Sequence, residues 1–205
     1  MKMENLWNQI TLNEFSQIRD ILADEGRDAE DRMVSLAAVV QGVSEEEILT
    51  MPLDEVSPVF DLVRQLDSKP KPSRLREIYK VGTWTLQTTD RKMTLAQWLD
   101  FQNYMRAGGD RYPDILSVVL VPAGKTYNEG YDMAALKAAL GEMSVADALA
   151  VCFFFQRKYL RSMRRTLTYL VGALKLKKGD RKVKKALIKE ALKVRREVSG
   201  MLRSR

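Results

Sequence analysis

Basic side chains crowd the end of this chain: residues 156–205 hold 18 Lys and Arg against 3 Asp and Glu. Arg157, Arg161, Arg164 and Arg165 recur there at helical spacing, and Lys182, Lys184, Lys185, Lys189, Lys193, Arg195 and Arg196 continue the pattern. Cations so placed can neutralise a nucleic-acid backbone without reading its sequence, in binding that weakens steeply with salt. The plainer reading is a solvated face, or one that pairs with the acidic start of the chain, where residues 1–66 hold 5 basic and 14 acidic residues. No aromatic residue follows Gly172, so base stacking is not expected of that last segment. Lacking Trp and Phe, it is also a poor membrane-surface helix.

The other chemical candidates are weaker. The chain has no histidine, which removes the commonest general base and the commonest metal ligand. Its single cysteine, Cys152, lies in the apolar run AVCFFF and reads as a small hydrophobe with nothing beside it to activate the thiol. One cysteine allows no internal disulfide, so a reducing interior is the expected setting. Gly124, Lys125 and Thr126 spell the tail of a phosphate-binding loop, but Val119 stands where the pattern needs its first glycine. Acidic runs such as SEEE and DEGRDAEDR sit at helix starts, where carboxylates favour the dipole, and not in a calcium-loop pattern. Asp100, Asp110, Asp114 and Asp132 offer carboxylates, yet no spacing selects a pair. No catalytic residue, cofactor or metal site is assigned, and no enzyme is expected.

These side chains need helices to position them. Ser144 to Lys175 carries Leu149, Phe153, Leu160, Met163, Leu167, Leu170 and Leu174 at steps of three and four, broken only by Gln156. That is one face of a long helix, with the arginines beside it. Leu149, Phe153, Leu160, Met163, Leu167 and Leu170 are the expected protein-binding residues. Ser144 with Asp147 resembles a capping box at its start, as do Thr11 with Glu14, Ser44 with Glu47, and Thr94 with Gln97. Ile10 and Phe15 could staple the first helix, expected from Leu12 to Asp24. A second follows over residues 28–40 before Gly42, and a short third ends at Pro52. A fourth runs from Leu53 to Leu66 with Val56, Val59, Phe60, Val63 and Leu66 inward. Pro58 implies a kink there or a later start.

The segment DSKPKPS, residues 67–73, reads as a linker. IYKVGTWTLQTT beyond it alternates as a β-hairpin reversing at Gly82 and Thr83, which must lie on helices or add to another sheet. A helix from about Thr94 to Gly108 and Gly109 should turn Leu95, Trp98, Leu99, Gln102 and Met105 or Tyr104 inward. Residues 113–121 fit helix or strand, with helix favoured. Asp132 should cap a helix over residues 133–140, and Asp180 a final basic amphipathic helix to about Leu202 with Val183, Leu187, Ala191, Val194 and Val198 on its apolar stripe. The expected fold is mainly α, a helical bundle of about eight helices in two subdomains with one small β-hairpin. Its parts are an acidic domain over residues 1–66, the linker 67–73, a hairpin-plus-helix domain 74–176, and the basic helix 177–205. No run approaches the roughly 18 apolar residues of a membrane span, and the start lacks the apolar core of a signal peptide.

The order TLNEFSQI, GVSEEEILTMPLDEV, YKVGTWTLQTTDRKMTLAQWLDFQNYM and VPAGKTYNEGYDM resembles small accessory proteins of tailed bacteriophages, of the tail-assembly-chaperone kind. The resemblance covers most of residues 10–155 and excludes the basic final helix. It implies a non-enzymatic role, binding other virion or assembly proteins, with further copies of itself as an alternative partner, in the host cytoplasm during assembly, with retention in the virion left open. The alternative expectation is a nucleic-acid-binding module that uses the basic end.

Overall fold

Hydroxyls and carboxylates at helix starts satisfy backbone donors that have no partner within the helix, and the first unit of this protein is built on them. The computed structural model describes residues 6–89, 93–107, 111–176 and 181–203, with side chains at all of these except 67, 107, 174–176, 181–184 and 200–203. Thr11 and Glu14 make a reciprocal capping box on α1 (Leu12–Ala23), and Ser44 and Glu47 do the same on α3 (Glu45–Thr50). The bonds from Ser44 hold the Glu47 carboxyl below its usual range. Asp28 caps α2 (Ala29–Gln41), which Gly42 closes with a left-handed φ of 67°. α4 (Leu53–Val63) starts at Leu53 and not later, so Pro58 sits inside it. Its ring lies on the exposed side, where water can take the carbonyl that a missing N–H leaves open. The helix then tightens into a 3-10 turn over Arg64–Asp67.

β1 (Ile78–Val81) and β2 (Trp84–Thr88) form the expected hairpin around Gly82, whose φ is 54°. α6 (Tyr112–Val119) then passes directly into β3 (Leu120–Pro122), so the ambiguous stretch is helix for most of its length and strand at its end. β3 pairs antiparallel with β2, and the hairpin becomes a three-stranded sheet of order β1-β2-β3. α7 (Met133–Leu140) begins under Asp132, which accepts from the amides of Ala134 and Ala135. α8 (Val145–Leu176) and α9 (Arg181–Arg203) complete the chain. The fold is mainly helical, with nine α-helices and this small sheet among the described residues.

α2 packs against α1, α3 and α4, and α6 packs against α5 (Leu95–Ala107), α7 and β3. Four successive residues of α2, Ser35 to Ala38, and every residue of α6 from Ile115 to Val119 are buried, as befits helices covered on several sides. Segment 67–73 lies inside the first unit and is held at both ends. Trp7 donates through Nε1 to Ser68 O at 2.8 Å, and the Ser73 amide donates to Ala146 O at 2.9 Å.

α5 corrects an expectation. Leu95 and Leu99 are 74% and 50% exposed, while Phe101 is fully buried and Gln97 is 2% exposed. The inward face is therefore rotated by about one residue, roughly 100°. The Gln97 backbone amide donates to Thr94 Oγ1 and its Oε1 accepts from Thr94 N, while its Nε2 donates to Val118 O at 3.0 Å on α6. A cap that must reach a buried carbonyl turns the helix to face it. Phe101→Ala should cost about 3–5 kcal/mol in urea denaturation, whereas Leu99→Ala should stay within about 0.5 kcal/mol. Equal costs would contradict this orientation.

Candidate functional site

The chain divides into two compact units, Met1–Cys152 and Phe153–Arg205, and the division falls within α8. It separates charge as well. The first unit holds 16 basic and 24 acidic residues, the second 18 and 3. No acidic residue occurs between Asp147 and Asp180. Cations on α8 therefore have no carboxylate on their own helix beyond its first turn, and the i to i+4 pairing that usually quiets such a face is missing.

Leu149 is buried, in the part of α8 that belongs to the first unit. Within the second unit Leu160 is buried, Phe153, Met163 and Leu167 are half-buried, and Leu170 is 45% exposed. Tyr159 and Val171 are buried too. On α9 the expected stripe grades from Val198, buried, through the half-buried Val194 and Ala191 to Leu187, 50% exposed. Val183 lies outside the described side chains. Val198 stands about 17 residues into α9, and Tyr159 stands about 17 residues before the end of α8, or roughly 26 Å along each helix. Leu170 on α8 and Leu187 on α9 are both open to solvent.

Arg157, Arg161, Arg164 and Arg165 are exposed, and among the described residues no ion pair or hydrogen bond engages their guanidinium groups. Lys185, Lys189, Lys193 and Arg196 on α9 are exposed likewise, and Arg195 is half-buried. The side chains of Lys182 and Lys184 are outside the description, as are Gly108, Gly109, Asp110 and Asp180 altogether. Arg161, Arg164, Arg165, Thr168 and Tyr169 line a concave surface of about 590 Å³. Thr168 donates its hydroxyl to Arg164 O at 2.8 Å, and Tyr169 is 76% exposed. Tyr169 lies three residues before the aromatic-free stretch that begins at Gly172. Its signal in the sequence is the four-residue step from Arg161 to Arg165 to Tyr169.

The first unit gives each of its candidate groups a separate occupation. Asp100 accepts from the Tyr127 hydroxyl at 2.9 Å, and burial together with that carboxylate pushes the phenol up, so it stays protonated. Asp114 binds Lys137 Nζ at 2.7 Å, which keeps the ammonium charged, and the same nitrogen lies 5.6 Å from the centre of the Tyr104 ring. Asp132 is the α7 cap. Gly124 to Thr126 form a turn in which Lys125 N donates to Pro122 O at 3.0 Å, and no helix follows until Met133, so no phosphate cradle forms. Among the described residues no three His, Cys, Asp or Glu side chains converge as a metal site, and no helix is long and apolar enough to cross a membrane. Comparison with protein-family models, with curated proteins and with solved structures gave no match.

Burial pushes the Cys152 thiol up to about 12. At pH 8 the thiolate is therefore scarce and enclosed. Native protein should resist a thiol reagent at that pH over the time in which the urea-unfolded chain reacts to completion. Fast native labelling would show that the start of α8 opens.

Proposed function

We propose that this is a non-enzymatic assembly protein of the tailed-phage accessory type, binding other structural proteins through helical faces. One observation carries the reading. Within the second unit Leu170 and Leu187 are open to solvent, Tyr169 is exposed and Met163 and Leu167 are half-buried, and among the described residues no ion pair engages the neighbouring arginines of α8. An apolar strip bordered by cations suits an amphipathic partner helix with an acidic flank, which buries its own leucines there and pairs its carboxylates at the rim. The likeness of residues 10–155 to phage assembly accessories supports the same reading.

The guanidinium groups of Arg157, Arg161, Arg164 and Arg165, which no ion pair engages among the described residues, favour a second reading, nucleic-acid binding, in which α9 adds Lys182, Lys184, Lys185, Lys189, Lys193, Arg195 and Arg196. Phosphate contacts of this kind position a polynucleotide without selecting its sequence.

The first reading is tested with the structural proteins encoded beside this chain's gene, mixed one at a time and followed by light scattering on a sizing column. One of them should co-elute in a fixed ratio. Leu170→Ser with Leu187→Ser should weaken that complex at least tenfold, from about 1.5–3 kcal/mol of lost apolar burial per side chain. No co-elution with any of them, or a complex indifferent to the double substitution, would contradict it.

A further inference from the structure

Arg161, Arg165 and Tyr169 follow one another at four-residue steps on α8, and Arg164 with Thr168 forms the adjoining row. Side chains so spaced are neighbours on the helix surface, their Cβ atoms roughly 5–6 Å apart. All five line the same concavity. The tyrosine ring has no aromatic or hydrogen-bonding partner among the described residues and is 76% exposed, although a ring of that size ordinarily hides one face. The Thr168 hydroxyl is turned to its own helix backbone, so the polar work of the concavity falls to three guanidinium groups.

We propose that this surface binds single-stranded nucleic acid, with Arg161, Arg164 and Arg165 on phosphates and Tyr169 stacked on an unpaired base. The inference rests on the nucleic-acid reading of the basic unit and names the form of partner. Guanidinium groups take phosphate oxygens in bidentate fashion, which sets the backbone along the arginine row. The exposed ring one helical turn beyond Arg165 then meets a base, and every base has a face to offer it. Duplex keeps its bases stacked inside and leaves the ring in water. An acidic peptide could use the arginines but brings no flat partner for the tyrosine.

The test uses the full chain and fluorescence anisotropy with labelled oligo-dT, oligo-rU and a mixed-sequence duplex, each about twenty units long, across a salt series. Single strands should bind at least tenfold more tightly than duplex at equal salt. Tyr169→Ala should weaken single-strand binding about tenfold, while Tyr169→Phe and Tyr169→Trp stay within about twofold. Replacing Arg161, Arg164 and Arg165 together by Ala should lower the slope of log affinity against log salt by about 2, at roughly 0.7 for each phosphate contact. The two single strands report whether the sugar matters, and either preference agrees with the proposal. Single-strand affinity unchanged by Tyr169→Ala, or duplex bound as tightly as single strand, overturns the stacking proposal and leaves the nucleic-acid reading standing. No binding of any of the three at low salt removes both.

Discussion

The first turn of α8 ties the first unit together, because three distant segments satisfy one another's backbone there. Val145 N donates to Ile10 O at 2.8 Å, and Leu12 N to Met143 O and Asn13 N to Gly141 O at 3.0 Å each, so the chain start is laced to the approach to α8. A Cβ at Gly141 would meet the exposed Asn13 side chain, whose amide end would have to move aside. Segment 73–76 joins from another side: Ser73 N reaches Ala146 O, and the Asp147 carboxylate takes Ser73 Oγ and lies 3.5 Å from Arg76 Nη1. Ser144 still caps the Asp147 amide at 3.3 Å. Asp147 does not complete the reciprocal box, because its carboxylate is used to fasten the end of segment 67–73 and Arg76 beyond it. A local capping signal has been converted into a long-range tie.

From that anchored turn the same helix runs on into the second unit, and its chemistry changes as it goes. Residues 145–152 are buried almost without exception and carry no cation. Beyond Phe155 the helix gains a cationic side free of carboxylates, and α9 is more basic still, with 9 Lys and Arg against 2 Glu. Like charge on two helices opposes close approach, and beyond Phe155 the buried apolar side chains are Leu160, Val171 and Val198, with Tyr159 beside them. The stripe is not fully covered, since Leu170 and Leu187 remain open. Uncancelled charge and incomplete cover are what a binding surface requires, and both arise from the same shortage of partners within the unit.

Local chemistry in the sequence was sufficient to place the helix starts at Thr11, Ser44, Thr94 and Asp132, the left-handed stop at Gly42 and the hairpin turn at Gly82, because each depends on residues within a few positions of one another. Contacts across many positions were not legible. The face of α5 turned on Gln97 reaching Val118, β3 existed only because β2 offered it an edge, and Asp100 met Tyr127 through tertiary folding. Of the candidate site, the cationic row on α8 could be read directly from its spacing. The graded exposure of Leu160, Met163, Leu167 and Leu170 could not, since an apolar residue at core spacing looks the same in sequence whether or not anything covers it. Tyr169 likewise becomes informative only once its exposure is known.

Arg161, Arg165 and Tyr169 share a row only where α8 is a formed helix, so the cationic surface requires that helix in the free protein. Amide hydrogen exchange of the isolated full chain, resolved along residues 148–172, measures this directly. The expected result is slow exchange unbroken from Ala148 through Val171, with protection continuing past Gln156. Rapid exchange from Gln156 onward, alongside slow exchange before it, would show that the cationic row is not preformed and would contradict the account.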